Sequence, residues 1–258
     1  AEAARETAMK ENAGKYIVVV DGSVPLKDDG IYSTIAGMTN LQMLEETARD
    51  AFAIISVGSC AAFDGIPGAN PNPTGAVAIS ELTDKPVINI SGCPPIPEAM
   101  TGTIAYLLSF GSLPELDHLG RPRAFFGEAI HDRCYRRPFY DRGMFAQSFD
   151  DEGARQGWCL FEVGCKGPVT YNACATLKWN QGTSFPIQSG HGCLGCSEPG
   201  FWDMGGFYKP LSTSTGEPLK WAAGTAIAGA ALGAAGAAVG RRRRNKIIEA
   251  QAARSTPA

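Results

Sequence analysis

Metal-ligating side chains are concentrated in one stretch of the chain, residues 131–196. This stretch holds one candidate histidine ligand, His131, and six of the eight cysteines of a 258-residue sequence. They occur in four short segments: HDRC (131–134), WCLFEVGC (158–165), NAC (172–174) and HGCLGC (191–196). Eight cysteines could form disulfides, but disulfide-dense scaffolds are usually much shorter chains. We therefore favour metal ligation over cross-linking.

The spacing divides these ligands into two sets. The set of four comprises His131, Cys134, Cys159 and Cys165. The set of three comprises Cys174, Cys193 and Cys196. Structural zinc takes one histidine with three cysteines, so zinc fits the set of four considered alone. Three thiolates do not close a tetrahedral zinc site, whereas a three-iron cluster needs only three, and several sets in one chain indicate an electron relay.

Ahead of this stretch, apolar runs alternate with helical segments. Runs closed by turns predict strands buried on both faces, over 16–23, 51–60 and 85–95. Helices are predicted over 1–14, 32–50, 76–82 and 97–110, with glycine stops at Gly14 and Gly111. The alternation predicts an α/β fold with a doubly wound parallel sheet. The sequence opens on a surface helix at Ala1 and not on a strand, so we expect a strand ahead of residue 1.

The two remaining cysteines, Cys60 and Cys93, each follow a predicted strand, in VGSC and SGCPP. Ligands of open parallel sheets bind beyond the carboxyl ends of the strands, so the two thiols could converge on one site. A lone cysteine is more often a small buried hydrophobe. Two cysteines at matching positions favour ligation, but a four-iron cluster takes four protein ligands, so this site needs ligands from elsewhere.

Changes in periodicity predict three regions. Residues 1–112 are predicted to form the α/β domain, residues 113–210 a loop-rich domain with short helices, and residues 211–258 a tail. Residues 221–240 carry no charge and precede Arg241–Arg244, so we expect a membrane helix there, although alanine and glycine dominate it. The alternatives are a flexible low-complexity tail and a soluble partner-binding helix. A net charge of −3 is too small to indicate a nucleic-acid partner.

Eight strings of the sequence carry a family resemblance. They are VVDGS (19–23), VGSCAAFDG (57–65), NPTGA (72–76), KPVINISGCPPIPE (85–98), IHDRCYRRPFYDRG (130–143), CLFEVGCKGP (159–168), YNACATLKWN (171–180) and CLGCSEPGFWD (193–203). With these strings the chain resembles the small, iron–sulfur subunit of nickel–iron hydrogenases, of the periplasmic, membrane-associated type found in phototrophic purple bacteria.

The resemblance implies a flavodoxin-like α/β domain followed by an iron–sulfur domain. It implies that Cys60 and Cys93 bind a proximal 4Fe-4S cluster, whose other two ligands come from a C-x-x-C motif ahead of this sequence. It implies a distal 4Fe-4S cluster on the set of four and a medial 3Fe-4S cluster on the set of three. Pro186 would lie where the medial cluster lacks a fourth thiolate. Gly192 differs from the proline that often precedes this cysteine in relatives.

The function implied is electron transfer in a reaction that interconverts H2 with two protons and two electrons. The nickel–iron site would lie on a large subunit, so no residue of this chain is predicted to be catalytic. The implied acceptor is a membrane cytochrome b or another redox partner, on the periplasmic side of the cytoplasmic membrane. A zinc-stabilised, non-catalytic binding module is the alternative. Arg133, Arg136 and Arg137 could steer an acidic partner or a haem edge, or could be ordinary solvated or internally paired arginines.

Overall fold

The computed structural model describes residues 2–211, and residues 1–210 form one compact unit. Nowhere in 2–211 is there a helix with the length and apolar character needed to span a membrane. The predicted membrane helix over 221–240 and most of the predicted tail lie outside the described residues. The division between residues 112 and 113 stays a prediction.

A three-stranded parallel sheet forms the centre of the first half. The strands within the described residues are β1 (Ile17–Asp21), β2 (Val24–Pro25), β3 (Thr34–Ile35), β4 (Met38–Thr39), β5 (Ala53–Val57), β6 (Ala76–Val77) and β7 (Val87–Ile90). The parallel sheet has the order β1-β5-β7, while β2 pairs with β6 and β3 with β4 in antiparallel fashion. The alternating α/β pattern with its parallel sheet is thus confirmed.

The helices are longest in the α/β part and short elsewhere. They are α1 (Glu2–Glu11), α2 (Asn40–Ala48), α3 (Gly58–Phe63), α4 (Gly65–Gly68), α5 (Pro97–Phe110), α6 (Arg123–Phe126), α7 (Arg137–Asp141) and α8 (Glu152–Arg155). Turns of 3-10 helix lie at Lys27–Gly30, Ile79–Glu81, Ile130–Arg133, Gly167–Val169 and Ala173–Ala175. From residue 113 onward the described chain is therefore rich in loops, as predicted.

The strand predictions need two corrections. The strand predicted over 51–60 ends at Val57, because Gly58 adopts a φ of 86° and starts helix α3, which carries Cys60. Strand β1 was predicted to be buried on both faces, but Val19 is 52% exposed. The reason is position in the sheet: β1 lies at the edge of the described sheet, whereas β5 lies between its two neighbours and is buried from residue 53 to 56.

The helix predictions were right where end signals were present. Helix α5 begins at Pro97 and ends before Gly111, which has a φ of 62°. The helix predicted over 32–50 starts only at Asn40, because Thr39 caps it: its hydroxyl accepts from Gln42 N, and the Gln42 side chain accepts from Thr39 N. The helix predicted over 76–82 is instead strand β6 followed by a 3-10 turn.

One hydrophobic core joins the sheet to the loop-rich part. Ile55, Ile88 and Leu107 from the α/β part pack in the same cluster as Phe126, Leu160 and three buried cysteines. These cysteines are Cys165, Cys174 and Cys193. The core therefore places the loops that carry the predicted ligands against the sheet.

Candidate metal centres

The first candidate centre is a cleft of about 690 Å³ at the carboxyl ends of β5 and β7. Cys60 and Cys93 both line it, so the convergence predicted from their positions is observed. The two ligand loops are joined to each other, because Ser59 N donates to Gly92 O over 2.9 Å and Gly92 N donates to Ser59 Oγ over 2.9 Å. Burial raises the pKa of the Cys93 thiol, and Cys60 adds to that rise.

The second candidate centre is a small cavity lined by all four members of the predicted set of four. His131, Cys134, Cys159 and Cys165 meet there. A 3-10 turn over Ile130–Arg133 presents His131, with Cys134 directly after it. Backbone N–H groups point at two of the thiols: Arg136 N lies 3.4 Å from Cys134 Sγ, and Gly167 N lies 3.4 Å from Cys165 Sγ. Such donors stabilise sulfur that carries negative charge.

Ionisable groups in this second cavity are shifted toward their neutral forms by burial. Burial lowers the pKa of His131, with a further contribution from Arg137. Burial also raises the pKa of Cys134, and it raises the pKa of Cys159 to about 11. A neutral imidazole is the form that binds metal, whereas a neutral thiol must lose its proton first.

The arginines beside this cavity are all internally paired. Arg133 binds Glu128 over 2.7 Å, and Arg137 binds Asp141 over 2.8 Å. Arg136 is buried and donates to Trp158 O over 2.7 Å. All three arginines thus have partners within the chain, and steering of an external redox partner stays a prediction.

The third candidate centre is an apolar cavity in the core. Cys174, Cys193 and Cys196 line it together with Pro186 and Trp179. Burial raises the pKa of Cys174 to about 12, and Gly195 N lies 3.4 Å from Cys193 Sγ. The buried indole of Trp179 opposes the rise of the Cys174 pKa. A negatively charged sulfur in this cavity, thiolate or sulfide, would accept a hydrogen bond from the indole N–H.

Sequence reasoning missed the residues that hold the Cys196 segment in place. Ser59 Oγ donates to Cys196 O, and Ser91 Oγ donates to Ser197 O over 2.8 Å. Arg121, which is only 1% exposed, donates from Nη1 to Ser197 O over 3.1 Å. No local sequence signal marks these contacts, because the partners lie 76 to 137 residues apart. The Nδ1 of His191 lies 2.8 Å from Gly192 O, and its ring stacks on that of Phe149.

The donor sets fit polynuclear groups better than single metal ions. Within residues 2–211, no group of three or more His, Cys, Asp or Glu side chains is placed to hold one metal ion. A single zinc ion binds all its ligands directly and needs them close together. In an iron–sulfur cluster each thiolate binds a different iron, so the thiolates stand further apart. Backbone N–H groups beside three of the thiols, and a third cavity with three cysteines and Pro186, suit the second case.

The raised thiol pKa values predict that loading of these sites releases protons. At neutral pH the folded, metal-free thiols are protonated, because burial raises the pKa of Cys159 to about 11 and of Cys174 to about 12. Each thiol that binds metal must release its proton, so we expect affinity to rise with pH until the raised pKa is passed. Anaerobic reconstitution at several pH values, with proton release followed by an indicator dye, measures this. Affinity that does not change with pH would contradict the protonated state of these thiols.

The fold and the three cysteine-lined cavities define an α/β protein with several candidate metal-binding sites. Comparison with known proteins gives its family. Residues 126–209 match the family of the C-terminal part of the NiFe/NiFeSe hydrogenase small subunit, and residues 1–107 match NADH ubiquinone oxidoreductase, 20 Kd subunit. The uptake hydrogenase small subunit of Afipia carboxidovorans is 50% identical over 257 residues, covering 99% of this chain and 70% of the relative. The chain belongs to the nickel–iron hydrogenase small-subunit family.

Other relatives agree with this assignment. The uptake hydrogenase small subunit of Azotobacter vinelandii is 56% identical over 214 residues, which are 83% of this chain and 60% of the relative. The chain thus spans about three fifths of that relative's length. The Ni-Fe-Se hydrogenase from Desulfomicrobium baculatum superposes with a TM-score of 0.75 at 33% identity, covering 81% of each chain. The family resemblance drawn from the sequence is therefore confirmed.

Proposed function

We propose that this chain is the electron-transfer small subunit of a nickel–iron hydrogenase. The large subunit of the heterodimer would interconvert H2 with two protons and two electrons, and this chain would carry the electrons to or from an external acceptor. The observation that supports this most strongly is that the three predicted ligand sets line three different cavities. Each of the three cavities is lined by one predicted set and by no cysteine of another set.

The proposed cofactors are two 4Fe-4S clusters and one 3Fe-4S cluster. Cys60 and Cys93 would hold the proximal 4Fe-4S cluster, with two further ligands from outside this sequence. The distal 4Fe-4S cluster would be held by His131, Cys134, Cys159 and Cys165. The medial 3Fe-4S cluster would be held by Cys174, Cys193 and Cys196. When bound, such clusters accept and donate single electrons.

The protein's own contribution is to position the ligands, exclude water and set charge. Backbone N–H groups at Cys134, Cys165 and Cys193 stabilise negative sulfur, which favours the electron-rich state of a bound cluster and raises its potential. The neutral imidazole of His131 replaces one anionic thiolate and acts in the same direction. The apolar walls of the third cavity, which Cys174 lines, keep water away from the site of the medial cluster.

Zinc-stabilised binding is the alternative, and the third cavity disfavours it. Three cysteines line that cavity with Pro186, so the set of three lacks a fourth protein ligand there. Location on the periplasmic side of the cytoplasmic membrane and a cytochrome b acceptor complete the proposal and rest on the family resemblance. Anchoring through residues 221–240 rests on the uncharged run that precedes Arg241–Arg244 and on the same resemblance.

Iron content and paramagnetism test this proposal directly. We expect the holoprotein, purified without oxygen, to contain iron and acid-labile sulfide, to be brown, and to give paramagnetic resonance signals of both three-iron and four-iron clusters. Zinc sites are colourless and carry no unpaired electron. A holoprotein that contains zinc in place of iron, and gives no resonance signal in any redox state, would refute electron transfer in favour of the binding module.

A further inference from the structure

The second and third candidate centres are joined by direct backbone contact. Cys193 N donates to Cys165 Sγ over 3.3 Å, although these two cysteines belong to different ligand sets. In return, Lys166 N donates to Cys193 O over 2.8 Å. Among the hydrogen bonds of residues 2–211, that from Cys193 N is the one that joins a thiol of the set of four to the backbone of a ligand in the set of three. Both cysteines are 6% exposed, so the contact is shielded from water.

The absence of a side chain at residue 192 makes this contact possible. A Cβ added to Gly192 would lie 2.8 Å from Cys165 Cα, 3.0 Å from Cys165 N and 3.0 Å from Cys165 Cβ. These atoms belong to the backbone or are fixed directly to it, so they cannot rotate out of the way. In this chain, alanine at residue 192 therefore requires the Cys193 segment or the Cys165 segment to shift. Glycine at this position serves close approach of two chain segments.

We propose that electrons pass between the medial and distal cluster sites through the hydrogen bond from Cys193 N to Cys165 Sγ. We propose that Gly192 is the residue that positions this hydrogen bond. The path from Cys193 Sγ runs through Cβ, Cα and the amide nitrogen, and then across the hydrogen bond to Cys165 Sγ. One electron leaves the group held by Cys193, which is oxidised, and enters the group held by Cys165, which is reduced. No covalent bond forms or breaks, and the amide proton stays on nitrogen. This inference rests on the proposed function.

Hydrogen bonds also join the first and third centres, at the backbone beside the ligands. Ser59 Oγ donates to Cys196 O, and Ser91 Oγ donates to Ser197 O over 2.8 Å. Ser59 precedes Cys60, which lines the first cavity, and Cys196 lines the third. Bonded contacts therefore connect neighbouring centres at both junctions.

Magnetic coupling between the medial and distal cluster sites tests whether the hydrogen bond from Cys193 N to Cys165 Sγ connects them. In the holoprotein, poised where the groups held by Cys193 and Cys165 are both paramagnetic, we expect a spin–spin interaction with an isotropic exchange part, which bonded contact transmits. In Gly192→Ala we expect the exchange part to fall several-fold. The dipolar part, which depends on distance alone, should change little. The rate of electron transfer between these cluster sites, followed after a light-triggered pulse of reductant, should fall in parallel.

A second glycine provides the matched control. Gly102 lies in α5, where an added Cβ would lie 2.8 Å from the Phe125 ring, so Gly102→Ala introduces comparable crowding without touching any predicted ligand. Its exchange coupling should equal that of the unmodified protein. The inference is overturned if Gly192→Ala keeps both clusters and the full exchange coupling. It is also overturned if the coupling in the unmodified protein is purely dipolar, a result that needs no variant. Absence of any iron–sulfur signal would instead refute the proposed function.

Discussion

Replacing Cys193 by alanine is expected to abolish electron delivery while leaving the chemistry of H2 on the large subunit intact. Cys193 is 6% exposed and lines the third cavity with Cys174 and Cys196. Two thiolates cannot replace the three that a three-iron cluster requires. The clusters proposed in the first and second cavities would then lack the medial cluster between them. H2-dependent reduction of an acceptor should therefore fall by orders of magnitude. Exchange of H2 with deuterated water needs no electron to leave the large subunit, so this exchange should persist.

The paired assays separate a broken relay from a misfolded protein. Gln188→Ala is the control, because Gln188 is exposed and lies in the same loop region, only a few residues from Cys193. It should keep both activities and the three-iron resonance signal. If Cys193→Ala kept full acceptor reduction and an unchanged three-iron signal, Cys193 would not be a ligand. Loss of both activities together would point to failure of the subunits to assemble.

Much of the α/β half was predictable because its signals are local. The apolar runs located β1, β5 and β7 to within a few residues, since buried parallel strands read as continuous hydrophobic segments. Pro97 and Gly111 fixed the ends of α5. The hairpin of β3 and β4 was missed, because two-residue strands are too short to show any periodicity. Cys60 was placed after a strand that in fact ends three residues earlier, where Gly58 turns the chain into a helix.

The candidate centres were predictable in composition and less so in their surroundings. His131 and Cys134 lie close in sequence, so their proximity followed from spacing. The neighbours that hold the loops together did not, because they come from distant segments. The Cys165 thiol accepts from Cys193, 28 residues away, and Glu198 binds an arginine 77 residues away. Such contacts are set by tertiary packing and leave no mark on local sequence patterns.

Substitution of Arg121 by methionine is expected to destabilise the protein by about 3–5 kcal/mol, the usual effect of removing one partner from a buried ion pair. Arg121 is 1% exposed and binds two carboxylates, with Nε 2.8 Å from Asp117 Oδ2 and Nη1 2.9 Å from Glu198 Oε1. Methionine would fill much of the volume but leave both carboxylates without their cation. It would also free Ser197 O, next to Cys196, so the third centre should lose iron more readily.

The loss of stability in Arg121→Met should depend on pH, because the substitution changes the folded-state pKa of Glu198. Burial raises the pKa of this carboxyl, and Arg121 opposes the rise. Without Arg121 the folded-state pKa moves further above the unfolded value of about 4.3. At pH values below the unfolded pKa, the Glu198 carboxyl is neutral in both the folded and the unfolded state. Its contribution to the loss of stability then vanishes. As pH rises toward the folded-state pKa, the unfolded chain ionises first, so the variant becomes progressively less stable.

Arg123 provides the comparison two residues away. It pairs with Glu115 over 2.6 Å, but both side chains are mostly exposed, at 57% and 74%. An exposed pair contributes about 0–1 kcal/mol, so Arg123→Met should change stability little. Denaturant midpoints of the loaded protein, followed by cluster absorbance without oxygen, measure both variants. If Arg121→Met were no less stable than Arg123→Met at neutral pH, the Cys196 segment would have to be held by Ser59 and Ser91 alone. The opposite result would show that the buried guanidinium helps to hold the Cys196 segment in place.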